Sequence, residues 1–214
     1  MISVYRIVQP QAPLYAYAST SSPENAVQLE SLLEAAKPDQ FVDSWHLLIS
    51  TPFRYPIPVE AHYQARFKPP ESDIRVLYSS KFANTALYEH AYYFIRERLH
   101  LGAEDETGNR TLFSLSLNEK KVTDLMRHPH VRALTDRKNL TASHEYIRMN
   151  PEVKGVKYPS CRDPNRGENF AVFDIHVLGK NIGEERSLSF VFQARKRSLF
   201  WVNNRLIIEW NEVN

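Results

Sequence analysis

Glu89 is the side chain whose setting in this sequence most plainly suits chemistry. It lies early in residues 82–99, where Leu87, Ala91, Phe94 and Ile95 recur on one face of a helical wheel. Glu89 falls on the other side, with Tyr92, Tyr93 and Arg96 following it at i+3, i+4 and i+7. A helix here would aim a carboxylate away from its apolar seam, where it could stabilise positive charge or hold hydroxyl groups. The plainer reading, a solvated helical acid, stands beside it. His128 and His130 flank Pro129 with nothing else at metal-ligand spacing, so a surface loop is expected there and no metal. Cys161 is the single cysteine, which excludes an intramolecular disulfide and any multi-cysteine cluster. It reads as a small buried side chain rather than a nucleophile. G-x-S-x-G, G-x-x-x-x-G-K-[ST], H-E-x-x-H and G-x-G-x-x-G are all absent.

The elements that must position these residues alternate between strand and helix patterns. Residues 3–8 read as a strand, and Ser22-Pro23-Glu24 as a cap opening a helix through Leu29, Leu32, Leu33 and Ala36 that Pro38 stops. Residues 45–49 are ambiguous, and residues 51–58, with three prolines, read as a stiff loop. A strand over 74–78 leads into the helix carrying Glu89. Residues 102–109 read as a polar loop, and Phe113, Leu115 and Leu117 alternate as in a half-buried strand. Helical signals at 122–134 and 142–149 are broken by Pro129 and Pro151. Strands are then expected at 153–158, 170–177, 188–193, 199–202 and 206–210, the last two joined by a hairpin at Asn203-Asn204. This interleaving predicts one α+β domain over 1–214, with a strand–helix extension at 1–50, a core at 51–177 and a C-terminal β-extension at 178–214.

Composition narrows the class. The 214 residues are 43% hydrophobic with a net charge of +2, a balance that disfavours nucleic-acid binding. Arg195, Lys196 and Arg197 read as a solvated turn. The start lacks a secretory pattern and no run approaches the ~18 apolar residues of a membrane span, so a cytoplasmic protein is expected.

Four segments form an ordered series: Thr51-Pro52-Phe53-Arg54-Tyr55-Pro56; Ala65-Arg66-Phe67; Val76-Leu77-Tyr78-Ser79-Ser80 running to Thr85-Ala86-Leu87-Tyr88-Glu89; and Gly155-Val156-Lys157-Tyr158-Pro159-Ser160-Cys161-Arg162-Asp163-Pro164. The series resembles the RES family, named for its Arg, Glu and Ser. Weaker likenesses at 29–38, 122–125 and 133–136 extend it over most of residues 1 to about 177. One departure stands out: Gln64-Ala65 precede Arg66, where the family usually has small residues, often Gly-Ser.

The resemblance implies a fold like that of ADP-ribosylating toxins, with antiparallel or mixed sheets and peripheral helices. It implies NAD⁺ as substrate, no prosthetic group, and functional residues at Arg66, Tyr78, Glu89 and Ser160. It also implies a toxin held inactive by a helix-turn-helix antitoxin whose C-terminal part covers the NAD⁺ site. Nicotinamide leaves as a neutral base, so the difficult charge is the cation developing on the ribose. Glu89 would face that charge, and Ser160 would either bond the ribose or orient Glu89. Arg66 would hold the diphosphate or its adjoining ribose. Tyr78 would stack on the nicotinamide ring. Arg54 would assist NAD⁺ binding or brace the proline-rich loop.

Duller roles remain open: a surface ion pair for Arg66, core packing for Tyr78 and a turn or cap for Ser160. Tyr92 and Tyr93 would line a pocket or a partner surface. Rival functions are ADP-ribosyl transfer to a protein and an inactive RES-like binding module.

Overall fold

The computed structural model describes residues 1–10, 45–54, 65–70 and 72–214, with Arg54 described in its backbone only. The helix expected at 22–38, Pro56, Pro58 and Gln64 lie outside the described residues. The rest is a mixed α+β structure around one nine-stranded sheet. In chain order the elements are β1 (Ile2–Val8), α1 (Leu47–Arg54), β2 (Leu77–Ser80), α2 (Ala83–His100), β3 (Glu106–Leu117), β4 (Thr123–Asp124), α3 (Val131–Leu134), α4 (Thr141–Met149), β5 (Gly155–Pro159), β6 (Glu168–Val172), β7 (Leu178–Gln193), β8 (Ser198–Trp201), β9 (Leu206–Glu209) and α5 (Trp210–Val213). The sheet runs β4-β5-β6-β2-β1-β3-β7-β8-β9. Every pairing is antiparallel except β4 with β5. No helix of the described residues is long and apolar enough to cross a membrane.

Alternation along the strands builds a core on each face. Leu112 packs beneath α2 with Leu87, Phe94 and Ile95, whereas its neighbour Phe113 packs on the other face with Leu48 and Ile49 of α1. The long β7 serves both cores. Leu188, Phe190 and Phe192 join the α2 side, but Leu178 and Ile182 face α1. The one-residue register shift against β3 between Phe113 and Leu115 accounts for the exchange, whereas the shift between Leu115 and Leu117 is of two residues and leaves the faces as they are. An odd offset in register turns every side chain beyond it to the opposite face. A third cluster, with Phe67, Leu125, Leu134, Ile147 and Val156, lies under α3 and α4.

Several expectations are corrected. Helix α1 contains Pro52 where a stiff loop was expected. The helix is short, and the Ser50 and Thr51 hydroxyls both donate to the Leu47 carbonyl in its first turn. Residues 106–109 are strand rather than loop, because β7 is long enough to pair them with residues 189–192. Glu106 there forms an ion pair with Arg98 at 2.8 Å. Residues 122–134 hold a two-residue strand, turns and only four helical residues. The Asp124 carboxylate accepts from the Met126 amide, a turn that competes with helix. The strand expected at 74–78 runs 77–80, and the one expected at 170–177 stops at Val172 before a 3₁₀ turn over Ile175–Val177. The strand pattern ending at 210 instead closes in α5 from Trp210.

Candidate active site

Helix α2 starts one residue after Phe82 and exposes Glu89 to a cavity of about 300 Å³ that Arg66 and Tyr78 also line. That size lies at the lower edge of ligand pockets. Ser160 and Asn169 fix the carboxylate. Ser160 Oγ donates to Glu89 Oε1 at 2.6 Å, and Asn169 Nδ2 donates to the same oxygen at 2.6 Å. Oε2 therefore carries no protein hydrogen bond among the described residues. Asn169 is itself oriented by Ser80, which donates to its Oδ1 at 2.7 Å and sits opposite it in the β2–β6 ladder.

Ser160 is fully buried and lies behind Glu89 rather than on the cavity wall. It also behaves as a turn residue, since its Oγ accepts from the Arg162 and Asp163 amides at 3.1 and 2.9 Å. Asp163 in turn accepts from Thr85 Oγ1 at 2.7 Å, tying the turn to α2 one helical turn ahead of Glu89. Gly167 completes the clasp: its carbonyl accepts from the Ser160 amide at 2.7 Å.

Arg66 reaches the cavity from a tight turn at 65–68, where fully buried Phe67 takes φ +58°. A bulky residue in the left-handed region is costly and marks an over-determined site. Three partners hold it. Tyr78 donates from its hydroxyl to the Arg66 carbonyl, His144 Nε2 pairs with the Ala65 carbonyl at 3.0 Å, and the Phe67 ring packs edge-on against Tyr158. The path into Arg66 is thus braced at Ala65, the position where small residues are usual. The guanidinium donates from Nη1 to Leu134 O and from Nη2 to Asp136 O, both at 2.7 Å. Nη2 also contacts Cys161 Sγ at 3.4 Å. Cys161 is partly exposed at the cavity wall, not the buried small residue expected.

Residues 35–192 match the model of the RES domain, nearly three-quarters of the chain. The chain belongs to the RES-domain family. A chain of the crystal structure of the M. tuberculosis MbcT–MbcA toxin–antitoxin complex aligns with 87% of this chain and 84% of that one, at 13% identity and a TM-score of 0.45. No curated protein matches the sequence.

In this RES domain the cavity is markedly cationic. Arg6, Arg66, Arg96 and Arg162 line it against one carboxylate, Glu89, among the described residues. Burial holds the Tyr78 and Tyr158 phenols well above their usual range; beside Tyr158 the Glu89 charge adds to the effect. Desolvation at the cavity wall and then Glu89 raise Tyr93, although 47% of its surface is exposed. All three are neutral donors at working pH. Arg162 is committed to structure, with Nη1 on Val213 O at 2.6 Å, Nη2 on Arg137 O at 2.9 Å and its guanidinium over the Tyr92 ring at 3.4 Å. Of the two tyrosines after Glu89, Tyr92 is buried against Trp210 and Tyr93 lines the cavity.

Asn169, Tyr158, Arg6 and Arg162 are the site residues that sequence reasoning did not single out. An amide immediately ahead of the apolar run Phe170-Ala171-Val172 was the one available signal for Asn169. Arg54 ends α1, and its side chain is outside the described residues. No group of three or more His, Cys, Asp or Glu suited to a metal occurs among the described residues.

His90, next to Glu89, shows what burial does on the cavity's flank. Its Nε2 is sealed from solvent without a partner, and its ring packs on Phe94 and Trp201. Desolvation, aided by Arg110, lowers its pKa to about 3. The unfolded chain binds this proton near the ordinary value of about 6.5, so stability is full above that pH and falls as the pH drops toward 3. Between pH 6.5 and 5, above most carboxylate titrations, His90 should account for about 2 kcal/mol of lost stability. Urea denaturation of wild type and His90→Gln across this window checks it; equal slopes for the two proteins would refute the assignment.

Proposed function

We propose that this RES domain cleaves the bond between nicotinamide and ribose in NAD⁺, as the toxin of a toxin–antitoxin pair. The observation that carries the reading is the Glu89 carboxylate, clamped on one oxygen by Ser160 and Asn169 and, among the described residues, free on the other, in a cavity lined by four arginines and four tyrosines. In such a cleavage the C–N bond stretches, nicotinamide departs with the bonding electrons as a neutral base, and positive charge grows on the ribose. Glu89 Oε2 faces that charge or the ribose hydroxyls. Because Oε1 is already held, the carboxylate need not reorganise as charge develops. The tyrosine rings offer faces for the nicotinamide, and the arginines match the charge of the diphosphate.

Water as acceptor would yield ADP-ribose and a proton, inorganic phosphate would yield ADP-ribose-1″-phosphate, and a protein nucleophile would become ADP-ribosylated. The antitoxin, a helix-turn-helix protein covering the cavity, follows from the family resemblance. The test is incubation of purified protein with NAD⁺, with and without phosphate, and chromatography of the products. Nicotinamide should appear in equimolar amount with one of the three ribosyl products. Unchanged NAD⁺ under every condition would end the enzymatic reading.

A further inference from the structure

The nine-stranded sheet ends in β9, whose outer edge pairs with no strand among the described residues. Two hydrogen bonds fix which backbone groups face that edge. The Trp210 amide donates toward β8, to the Arg197 carbonyl at 2.9 Å, whereas the Glu209 amide donates to Glu212 Oε2 at 2.8 Å. Successive residues of a strand present their N–H and C=O to opposite sides. Leu206 and Ile208 therefore bond β8, and the N–H and C=O of Ile207 face the open edge. Side chains alternate as well. Ile208 is buried beneath α2, and Ile207 projects from the other face with 58% of its surface exposed. There it extends a cross-strand row formed with half-buried Phe200 and Val191. The opposite end of the sheet is protected: β4 has two residues, and its Asp124 is paired with Lys157 at 2.7 Å. Charge and brevity are common protections of a sheet edge, and an exposed apolar residue at its centre invites another strand.

The charges around Ile207 identify that strand. Arg205 lies two positions before it and Glu209 two positions after, and both are exposed. The Arg205 side chain has no partner among the described residues. We propose that β9 pairs antiparallel with β9 of a second copy of this chain, about a two-fold axis through Ile207. In that register Ile207 meets its own counterpart, and the two exchange N–H···O=C bonds in both directions. Arg205 of each copy then faces Glu209 of the other, and the apolar row runs on across the axis. The backbone of Arg205 turns away at φ +49° and the Glu209 amide is already bonded, so these two contribute side chains only. Parallel pairing in the same register would oppose like charges, which selects the antiparallel arrangement. None of these residues lines the Glu89 cavity, so the dimer and the enzymatic reading stand or fall separately.

Sedimentation equilibrium of the full chain, from micromolar to millimolar concentration, tests it. A contact built on one strand edge belongs to the small, transient class, so wild type should dimerise at tens to hundreds of micromolar, less tightly as salt rises. Ile207→Pro removes only an N–H that faces outward and should weaken the dimer about tenfold or more. Should it not fold, Ile207→Lys is read by the same criterion. Arg205→Glu and Glu209→Arg each set like charges opposite one another twice, so each alone should self-associate about tenfold less tightly. Mixed together, the two variants should associate about as well as wild type, because every pair is again complementary. Misfolding cannot imitate that recovery. A wild type that stays monomeric over the whole range overturns the proposal. So does a dimer that these variants form as wild type does, which places the contact on another surface, and so do charge variants that fail to associate on mixing.

Discussion

Glu89→Gln should lower the rate of nicotinamide release by about 10²–10³-fold while ADP-ribose still binds with near-native affinity. The substitution is nearly isosteric and keeps an oxygen to accept from Ser160 and Asn169, which meet at Oε1 in the native site. Ground-state contacts therefore change little. What disappears is the charge facing a ribose that becomes cationic only in the transition state, so kcat falls and KM does not. Melting temperature should stay within a few degrees of wild type. Turnover at the wild-type rate would show that Glu89 is no more than a well-bonded helical acid.

Gly167→Ala should be the most damaging small substitution in the molecule. A Cβ at this position would stand 2.1 Å from Thr85 Oγ1, 3.0 Å from Thr85 Cγ2 and 2.8 Å from Asp163 Oδ2. Neither neighbour can yield cheaply, because Thr85 and Asp163 are buried and bonded to each other. The expected loss is about 3 kcal/mol, combining overpacking with a strained charged hydrogen bond. Activity should fall too, by about tenfold or more, because 1 Å of misplacement is costly in a preorganised site. The route is short: the Gly167 carbonyl holds the Ser160 amide, and Ser160 holds Glu89. Thermal melts and nicotinamide release measure both effects. Adding Thr85→Ala should recover part of the stability, since it removes both Thr85 atoms that the new methyl meets. A Gly167→Ala protein with native melting temperature and turnover would contradict this account of the clasp.

Local pattern located the helix bearing Glu89 to within one residue at each end, because its apolar seam repeats at helical spacing over many turns. The residues of that seam, Leu87, Ala91, Phe94 and Ile95, all bury, and Thr85, Ala86 and Tyr92 bury with them. Short elements were less legible. The 122–134 segment has helical spacing, but Asp124 and Pro129 leave only four residues to form helix. Residues 106–109 are polar and contain Gly108, and only the pairing offered by β7 makes them strand. Pro52 argued for a loop, yet it is accommodated in a helix of only eight residues that ends two residues later at Arg54.

The site divides in the same way. Residue types and their order along the chain were enough to place this sequence in its family and to nominate Arg66, Tyr78, Glu89 and Ser160. They were also enough to predict an α+β structure, and Glu89's position off the apolar seam follows from helix geometry alone. Which nominees line the cavity was decided only by the fold, because contacts between residues distant in sequence depend on strand register and turn shape. Pairing of β2, β5 and β6 sets Asn169 between Ser80 and Tyr158, a turn buries Ser160 behind the carboxylate, and carbonyls of a loop some 70 positions away capture Arg66. Arg6, far from every motif in the sequence, reaches the cavity because a central strand carries it there.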